Sequence, residues 1–278
     1  MHYPKILVGA PVAGHYEYCL PQYLGALQSF DYPNYDLLLV DNSETDIFYQ
    51  KLKLLGVPVV RVGYEEETIK MRMVKGRNYL RQKALDGGYD YFFNLDQDVI
   101  PPKDTLKRLV AHQQKVLTGI YYNYFKIGND WKRTPIVYRL LNPEEQQTIL
   151  TQGKEHLAQM NLDLFRRLEG NQWDFTKTYV EYTADDVAIP KLLEIEACGT
   201  GCILIHRDIL AQLDFKFNEG AGFDDVIFCS EVRGKLHETI YADTAVQCEH
   251  LVRERPWSWA NVGNDQFIIY GANKFKRK

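Results

Sequence analysis

Two aspartates separated by one residue, Asp96 and Asp98, follow the apolar run Tyr91-Phe92-Phe93-Asn94-Leu95. Such a run predicts a buried strand, so both carboxylates should stand just beyond its carboxyl end. Paired carboxylates bind hard cations such as Mg²⁺ or Mn²⁺, which keep coordination positions open for substrate phosphates. The alternative interpretation is a simple turn in which Asp98 caps a helix.

A second polar group lies near the C-terminal end. Glu249 and His250 follow an apolar run, and Arg253 and Arg255 come shortly afterwards. A carboxylate, an imidazole and a diphosphate together would make an octahedral metal site, and the arginines suit phosphate oxygens. A purely structural role for the histidine is the alternative.

The adjacent residues Asp224 and Asp225 offer a candidate general base. They follow Gly220-Ala221-Gly222-Phe223 and begin a predicted helix. Asp225 would take the proton of an acceptor hydroxyl, which requires a pKa tuned by burial. The alternative is that one aspartate is the N-cap of the helix and the other complements the helix dipole.

Two further residues are candidates for nucleotide contacts. Asp41 ends a predicted strand, and its carboxylate could accept a hydrogen bond from the imide N–H of uracil or from a ribose hydroxyl. Its alternative is an ordinary turn residue. Arg77 lies in a long predicted helix and could reach the nucleotide, with a surface salt bridge as the equal alternative.

Alternating strands and helices must position these side chains. Strands are predicted at 6–10, 35–40, 57–62 and 91–95, and helices at 15–30, 45–55, 69–85 and 101–113. This alternation predicts an α/β fold, a mostly parallel sheet with helices on both faces. Ligands of such sheets bind beyond the carboxyl ends of the strands, where the loops after Ala10, Val40 and Leu95 lie.

The rhythm changes after residue 120. The segment 121–190 is rich in aromatic and charged side chains and is interpreted as an insertion over the sheet, with a helix starting at Pro143. Beyond it, strands are predicted at 192–196, 202–206, 239–242 and 245–248, and helices at 207–213 and 225–233.

Composition restricts the functional class. The 278 residues are 45% hydrophobic and 25% charged, with a net charge of −4, so nothing suggests nucleic-acid binding. Five cysteines without C-x-x-C spacing argue against a disulfide framework and a zinc site, and favour a reducing compartment. No signal peptide and no apolar run of about 18 residues is present, so we expect a cytoplasmic protein without a membrane span.

In this order, the motifs resemble those of the GT-A glycosyltransferases, especially the family 2-like group. Residues 39–46 are similar to its Val-Asp-Asp-x-Ser-x-x-Asp turn, 76–78 to its Ala-Arg-Asn, and 93–98 to its strand and Asp-x-Asp motif. Residues 199–205 resemble its donor-sugar loop, 223–229 its Glu-Asp motif with Asp in the first place, and 248–250 its terminal histidine ligand. The resemblance covers about 1–120 and 192–255.

The resemblance implies one GT-A domain over 1–278. Within it, 1–120 would be the nucleotide-binding half, 121–190 an acceptor-side segment, and 191–278 the acceptor and metal-histidine half. The implied reaction moves a sugar from a UDP- or GDP-sugar to a hydroxyl of a glycan, a lipid-linked molecule or another acceptor. Mn²⁺ or Mg²⁺ is the implied cofactor, and inversion with Asp225 as base is the implied course, with retention left open.

The predicted site residues fall into three groups. The catalytic residues are Asp225 and Asp224. The nucleotide-sugar contacts are Ala10, Pro11, Val12, Asp41, Arg77, Asp96, Gln97, Gly199, Thr200 and Arg253. The metal ligands are Asp98, His250 and Asp96, and the resemblance implies that Asp98 is the stronger candidate.

Two other functions are alternatives. A sugar-1-phosphate nucleotidyltransferase should carry a glycine-rich, basic loop after the first strand, whereas Pro11-Val12-Ala13-Gly14-His15 has one glycine and no Arg or Lys. A non-catalytic carbohydrate-binding module would not need the set Asp96, Asp98, Asp225 and His250.

Overall fold

A computed structural model describes residues 3–66, 68–127, 130–152, 175, 178–217, 224–251, 267–270 and 274–277. The side chains of 124–132, 267–270 and 274–277 lie outside this description.

The elements alternate through the first half of the chain. They are β1 (Ile6–Gly9), β2 (Pro11–Val12), a 3₁₀ helix (Gly14–Cys19), α1 (Leu20–Gln28), β3 (Tyr35–Leu37), β4 (Leu39–Asp41), α2 (Ile47–Leu54), β5 (Val59–Arg61), α3 (Ile69–Asp86), β6 (Tyr91–Leu95), β7 (Val99–Ile100), α4 (Thr105–Ala111) and β8 (Val116–Ile120).

The second half contains more strands than helices. Its elements are β9 (Tyr122–Ile127), β10 (Asp130–Pro135), β11 (Val137–Leu140), α5 (Pro143–Gln152), β12 (Tyr179–Glu181), β13 (Leu192–Ile195), β14 (Ala197–Cys198), β15 (Cys202–His206), α6 (Arg207–Gln212), α7 (Asp224–Gly234), β16 (Ile240–Gln247), β17 (Glu249–His250), β18 (Phe267–Tyr270) and β19 (Lys274–Arg277).

A seven-stranded sheet with the order β13-β16-β8-β15-β6-β1-β3 is the centre of the fold. A smaller sheet with the order β2-β4-β5 continues the ends of β1 and β3. The predicted parallel arrangement holds among the strands of the first 95 residues. The central sheet is mixed, however, because β15 runs antiparallel between β6 and β8, and β13 runs antiparallel to β16.

The predicted strand 35–40 divides at Leu38, which sends β3 and β4 to different sheets. The Leu38 carbonyl oxygen lies so near Gly9 that a Cβ there would approach it to 2.0 Å. Only glycine allows this contact, because it lacks a Cβ. The division moves β4 beside β2, with Val12 opposite Asp41.

Helix α3 packs closely against this second sheet. The Thr68 side chain caps it by accepting a hydrogen bond of 3.2 Å from the Met71 N–H. A Cβ at Gly76 would lie 2.9 Å from the Pro11 side chain, so glycine lets the helix approach β2. The next residue, Arg77, is thereby buried below the carboxyl ends of the strands.

Two predicted elements need correction. The helix predicted from residue 101 starts at Thr105, after Asp104, so Pro101 and Pro102 precede it. The strands predicted at 239–242 and 245–248 are one strand, β16, with an irregularity between Ala242 and Gln247.

A large hydrophobic core connects these layers and includes buried side chains from Ile6 to Cys248, and a second, small cluster contains Leu141, Ile149 and Val180. All five cysteines are buried and free of disulfides. No helix within the described ranges has both the length and the apolar character needed to cross a bilayer.

Candidate active site

Asp96 follows the end of β6, where neighbouring groups fix one of its two carboxylate oxygens. Oδ1 accepts hydrogen bonds from Asn94 Nδ2 at 2.9 Å and from Arg77 Nη2 at 3.3 Å. Asn94 also donates to the Thr200 carbonyl at 2.6 Å, and thereby connects the Asp-x-Asp segment to the loop before β15. The Asp96 side chain is 28% exposed, so its other oxygen can meet a ligand.

Asp98 and His250 are brought together by the short strands β7 and β17. Val99 lies opposite His250 in this antiparallel pair, and the Leu251 N–H donates to the Asp98 carbonyl at 2.8 Å. His250 Nε2 consequently lies 3.4 Å from Asp98 Oδ2. This is the pairing that the sequence analysis predicts for a metal site.

The second ring nitrogen of His250 determines what the first can do. Nδ1 lies 2.6 Å from the backbone carbonyl of Tyr122, which can only accept a hydrogen bond. Nδ1 therefore carries a proton, and in the neutral ring Nε2 has a lone pair directed toward a carboxylate. This arrangement, with a carbonyl orienting the imidazole, is common around metal-binding histidines.

The donor set suits an ion that takes most of its ligands from substrate. No cluster of three or more His, Cys, Asp or Glu side chains suited to a metal occurs among the described residues. Asp98 and His250 supply one oxygen and one nitrogen, and Mn²⁺ accepts such mixed donors together with phosphate oxygens. The pair therefore fits a divalent cation whose coordination is completed by a diphosphate.

Arg77 connects the two acidic segments. It is 1% exposed, and its guanidinium hydrogen-bonds Asp224 through Nη1 and Asp96 through Nη2. These two charges hold the pKa of Arg77 above its usual range, against the effect of burial. The surface salt bridge considered as an alternative is therefore wrong, and the described contacts of Arg77 are with protein carboxylates.

Asp225 is the second residue of α7, directly after Asp224, and is only partly exposed. Burial first, and then the neighbouring charge of Asp224, raise its pKa to about 7. A hydrogen bond of 2.7 Å from the Val226 N–H and the positive charge of Arg77 act in the opposite direction. A carboxyl group with such a pKa can exchange a proton near neutral pH.

The loop Gly199-Thr200-Gly201 packs tightly on the Tyr121 ring. A Cβ at Gly199 would come within 2.0 Å of the Tyr121 hydroxyl oxygen, and one at Gly201 within 2.7 Å of the ring. The Gly201 N–H donates to that hydroxyl at 3.0 Å. The Tyr121 ring also meets His250 edge-on, with centroids 5.4 Å apart, so it contacts both the loop and the histidine.

Asp41 is enclosed by protein groups. It is 0% exposed, accepts a hydrogen bond from Ser43 Oγ at 2.6 Å, and pairs with Arg61 Nε at 3.2 Å. Burial raises its pKa, and the bonds from Ser43 and Arg61 lower it by less. In this arrangement the Asp41 carboxylate is not exposed to solvent, and its predicted contact with a nucleotide stays a prediction.

The loop after β1 holds the remaining donor-side candidates. Ala10 and Val12 are buried, and Pro11 pairs with Val40 in the second sheet. Gln97 is also buried, and its Oε1 accepts a hydrogen bond of 2.9 Å from the Ala13 N–H. Gln97 therefore binds this loop to the Asp-x-Asp segment.

The structure thus gathers most of the predicted residues at the carboxyl ends of β1, β4 and β6. Arg253 lies outside the described residues, as do residues 220–223 before Asp224. Asn94 and Arg61 are not among the site residues predicted from the sequence. Asn94 had a signal, since it is the polar residue in an otherwise apolar buried strand.

The sequence matches the family model described as glycosyl transferase family 2 over residues 16–168, which is more than half of the chain. The chain belongs to this family, and it is a glycosyltransferase with the GT-A fold. The nucleotidyltransferase and binding-module alternatives are not favoured. None of the curated proteins matches the sequence.

Solved structures resemble the fold at low sequence identity. GalNAc-T7, solved with UDP, GalNAc and Mn²⁺, gives a TM-score of 0.52 at 12% identity, covering 95% of this chain and 48% of that one. S. aureus TarS 1-349 gives 0.47 at 13%, with coverages of 88% and 60%. A197 from STIV gives 0.45 at 15%, with coverages of 99% and 94%. The chain thus spans about half of the GalNAc-T7 structure.

Proposed function

We propose that this glycosyltransferase moves a sugar from a nucleoside diphosphate sugar to an acceptor hydroxyl, with a divalent metal at Asp98 and His250. The pairing of Asp98 Oδ2 with His250 Nε2 carries this proposal. Asp98 and His250 are far apart in sequence, and the antiparallel pairing of β7 with β17 brings them together. Asp96 completes the acidic lining with its partly exposed oxygen.

The metal and the donor have separate roles. A bound Mn²⁺ or Mg²⁺ would offset the charge that develops on the leaving diphosphate. Asp98 and His250 would hold that ion, and Arg77 fixes the carboxylates of Asp96 and Asp224 through its guanidinium. The Gly199–Gly201 loop provides backbone beside the donor sugar, at a position where side chains are excluded by Tyr121.

Asp225 is proposed as the base that accepts the proton of the acceptor hydroxyl. With a pKa of about 7, it is ionised in an appreciable fraction of molecules at neutral pH. Direct displacement by the acceptor oxygen then inverts the anomeric carbon. The sugar in the product should therefore have the opposite anomeric configuration from the sugar in the donor. NMR of the product, recorded before any mutarotation, can detect this inversion.

UDP-sugars with Mn²⁺ are the first donors to test, because GalNAc-T7 was solved with UDP, GalNAc and Mn²⁺. GDP-sugars are the second. The acceptor is proposed to be a hydroxyl of a glycan or a lipid-linked molecule. We also propose that 1–278 forms one domain, since the core that contains Ile6 and Cys248 also contains Tyr138 and Tyr179 of the middle segment.

The test is thermal unfolding with a panel of nucleoside diphosphates and nucleotide sugars, each with and without Mn²⁺. Binding to the folded state raises the unfolding midpoint by mass action. We expect a metal-dependent rise with one class of nucleotide, which Asp98→Ala abolishes. A panel without any shift would refute the donor site.

A further inference from the structure

Arg61 and Tyr64 form a cation–π pair at the edge of the second sheet. Arg61 ends β5, directly opposite Asp41 of β4. Its guanidinium carbon lies 4.0 Å from the centroid of the Tyr64 ring. The Tyr64 residue is 43% exposed and the Arg61 side chain 20% exposed, so part of each faces solvent.

Asp41 and Ser43 fix the orientation of this guanidinium. Arg61 Nε donates to Asp41 Oδ2 at 3.2 Å, and Nη2 donates to the Ser43 carbonyl at 2.9 Å. Nη1 makes no hydrogen bond to any residue that the structure describes. Because Asp41 is fully enclosed, Arg61 is the charged group of this cluster that can meet a ligand.

The pair lies at the same carboxyl edge of the strands as Asp96. Along the carboxyl edge, the order of segments runs from Asp96 after β6, through the loop after β1, to Asp41 on β4 and Arg61 on β5. Neighbouring strands are about 4.8 Å apart, so these three intervals span roughly 14 Å. An extended nucleoside diphosphate with its phosphates near Asp98 has a comparable length.

We propose that Arg61 and Tyr64 are the nucleobase subsite of the donor, in which Arg61 recognises a carbonyl oxygen of the base and Asp41 is a positioning residue. This inference rests on the proposed function. Arginine has donors and no acceptor. Uracil and guanine carry a carbonyl at the ring position where cytosine and adenine carry an amino group. The subsite should therefore favour keto bases over amino bases.

Calorimetric titration of the full chain with UDP, GDP, CDP and ADP, each with Mn²⁺, tests this subsite. We expect UDP or GDP to bind about tenfold more tightly than CDP and ADP, the discrimination of one good arginine contact. Arg61→Met should remove the preference. The neighbouring Arg72→Met is the matched control, because Arg72 contacts Glu44 and the Glu66 carbonyl, and it should keep the preference.

Tyr64→Ser tests separately whether the Tyr64 ring stacks on the base. Because Tyr64 is exposed, this substitution should not disturb folding. It should weaken the binding of all four nucleotides by a similar factor of about ten, since any base can stack on an aromatic ring. Equal binding of all four nucleotides by the natural chain, a preserved preference in Arg61→Met, or unchanged affinity in Tyr64→Ser would each overturn the subsite. If no nucleotide binds at all, the proposed function itself fails.

Discussion

Asp225 has a carboxyl group whose proton affinity matches the task of a general base. Burial and the adjacent Asp224 raise its pKa to about 7. If it removes the acceptor proton, kcat/KM for nucleotide-sugar turnover should rise with pH and level off above about 7. Asp225→Asn should lower kcat by roughly 10²- to 10⁴-fold. Asp208→Asn, on α6, is the control, and full turnover in Asp225→Asn would refute the assignment.

The same raised pKa has a consequence for stability. The folded carboxyl keeps its proton up to about pH 7, whereas an unfolded aspartate releases it near pH 4. The contribution of this carboxyl to the free energy of unfolding is therefore fully present below about pH 4 and is lost as the pH rises through 7. Asp225→Asn should raise the thermal midpoint at pH 8, and the gain should shrink toward pH 4. A lower midpoint at pH 8 would contradict the raised pKa.

Arg77 is the buried cation between two carboxylates. Removing its charge in Arg77→Gln leaves Asp224 and Asp96 without their partner, which costs about 3–5 kcal/mol for a buried pair. Arg77 also lowers the pKa of Asp225, so the acidic limb of the pH–rate profile should move to higher pH in the variant. Arg81→Gln, one turn further along α3, should leave that limb unchanged. Urea unfolding and the rate profile measure the two effects.

At the scale of elements, the loop before β15 depends on two glycines that differ in what they touch. A Cβ at Gly199 would lie 2.0 Å from the Tyr121 hydroxyl oxygen, whereas one at Gly201 would lie 2.7 Å from a ring carbon and 2.9 Å from that oxygen. Gly199→Ala should cost about 1–3 kcal/mol by overpacking. Tyr121→Phe should recover more of that loss in the Gly199→Ala background than in Gly201→Ala, where the new Cβ would still lie 2.7 Å from a ring carbon. Denaturant unfolding of the two glycine variants, each with and without Tyr121→Phe, measures this recovery. An equal recovery in both backgrounds would contradict this packing.

Much of this arrangement is readable from sequence. Local alternation of apolar runs predicts β1, β6 and the helices between them, and Asp96 and Asp98 are correctly expected beyond a strand end. Strand β8, the division at Leu38 and the antiparallel entry of β15 are not predicted, because strand partners come from distant parts of the chain. The enclosure of Asp41 by Arg61 and the burial of Arg77 also depend on tertiary packing, which periodicity does not encode.

At the scale of the whole molecule, the candidate site exists only when distant segments meet. Asp96 and Asp98 follow β6, and Asp225 lies in the first turn of α7. His250 lies on β17, which pairs with β7 just after Asp98. The mixed sheet brings β15 beside β6, so the glycine loop lies next to the carboxylates. A cation bound between Asp98 and His250 would therefore join the N-terminal and C-terminal parts of the described chain.

Electron paramagnetic resonance of Mn²⁺ in the presence of UDP or GDP tests most directly whether Asp98 and His250 bind a cation. It measures Mn²⁺ binding and does not need an acceptor. We expect tight binding of Mn²⁺ when the nucleotide is present. Asp98→Asn and His250→Ala should each weaken it by at least about tenfold, while Asp208→Asn leaves it unchanged. Mn²⁺ binding that is equally tight in all four proteins would contradict the metal site at Asp98 and His250.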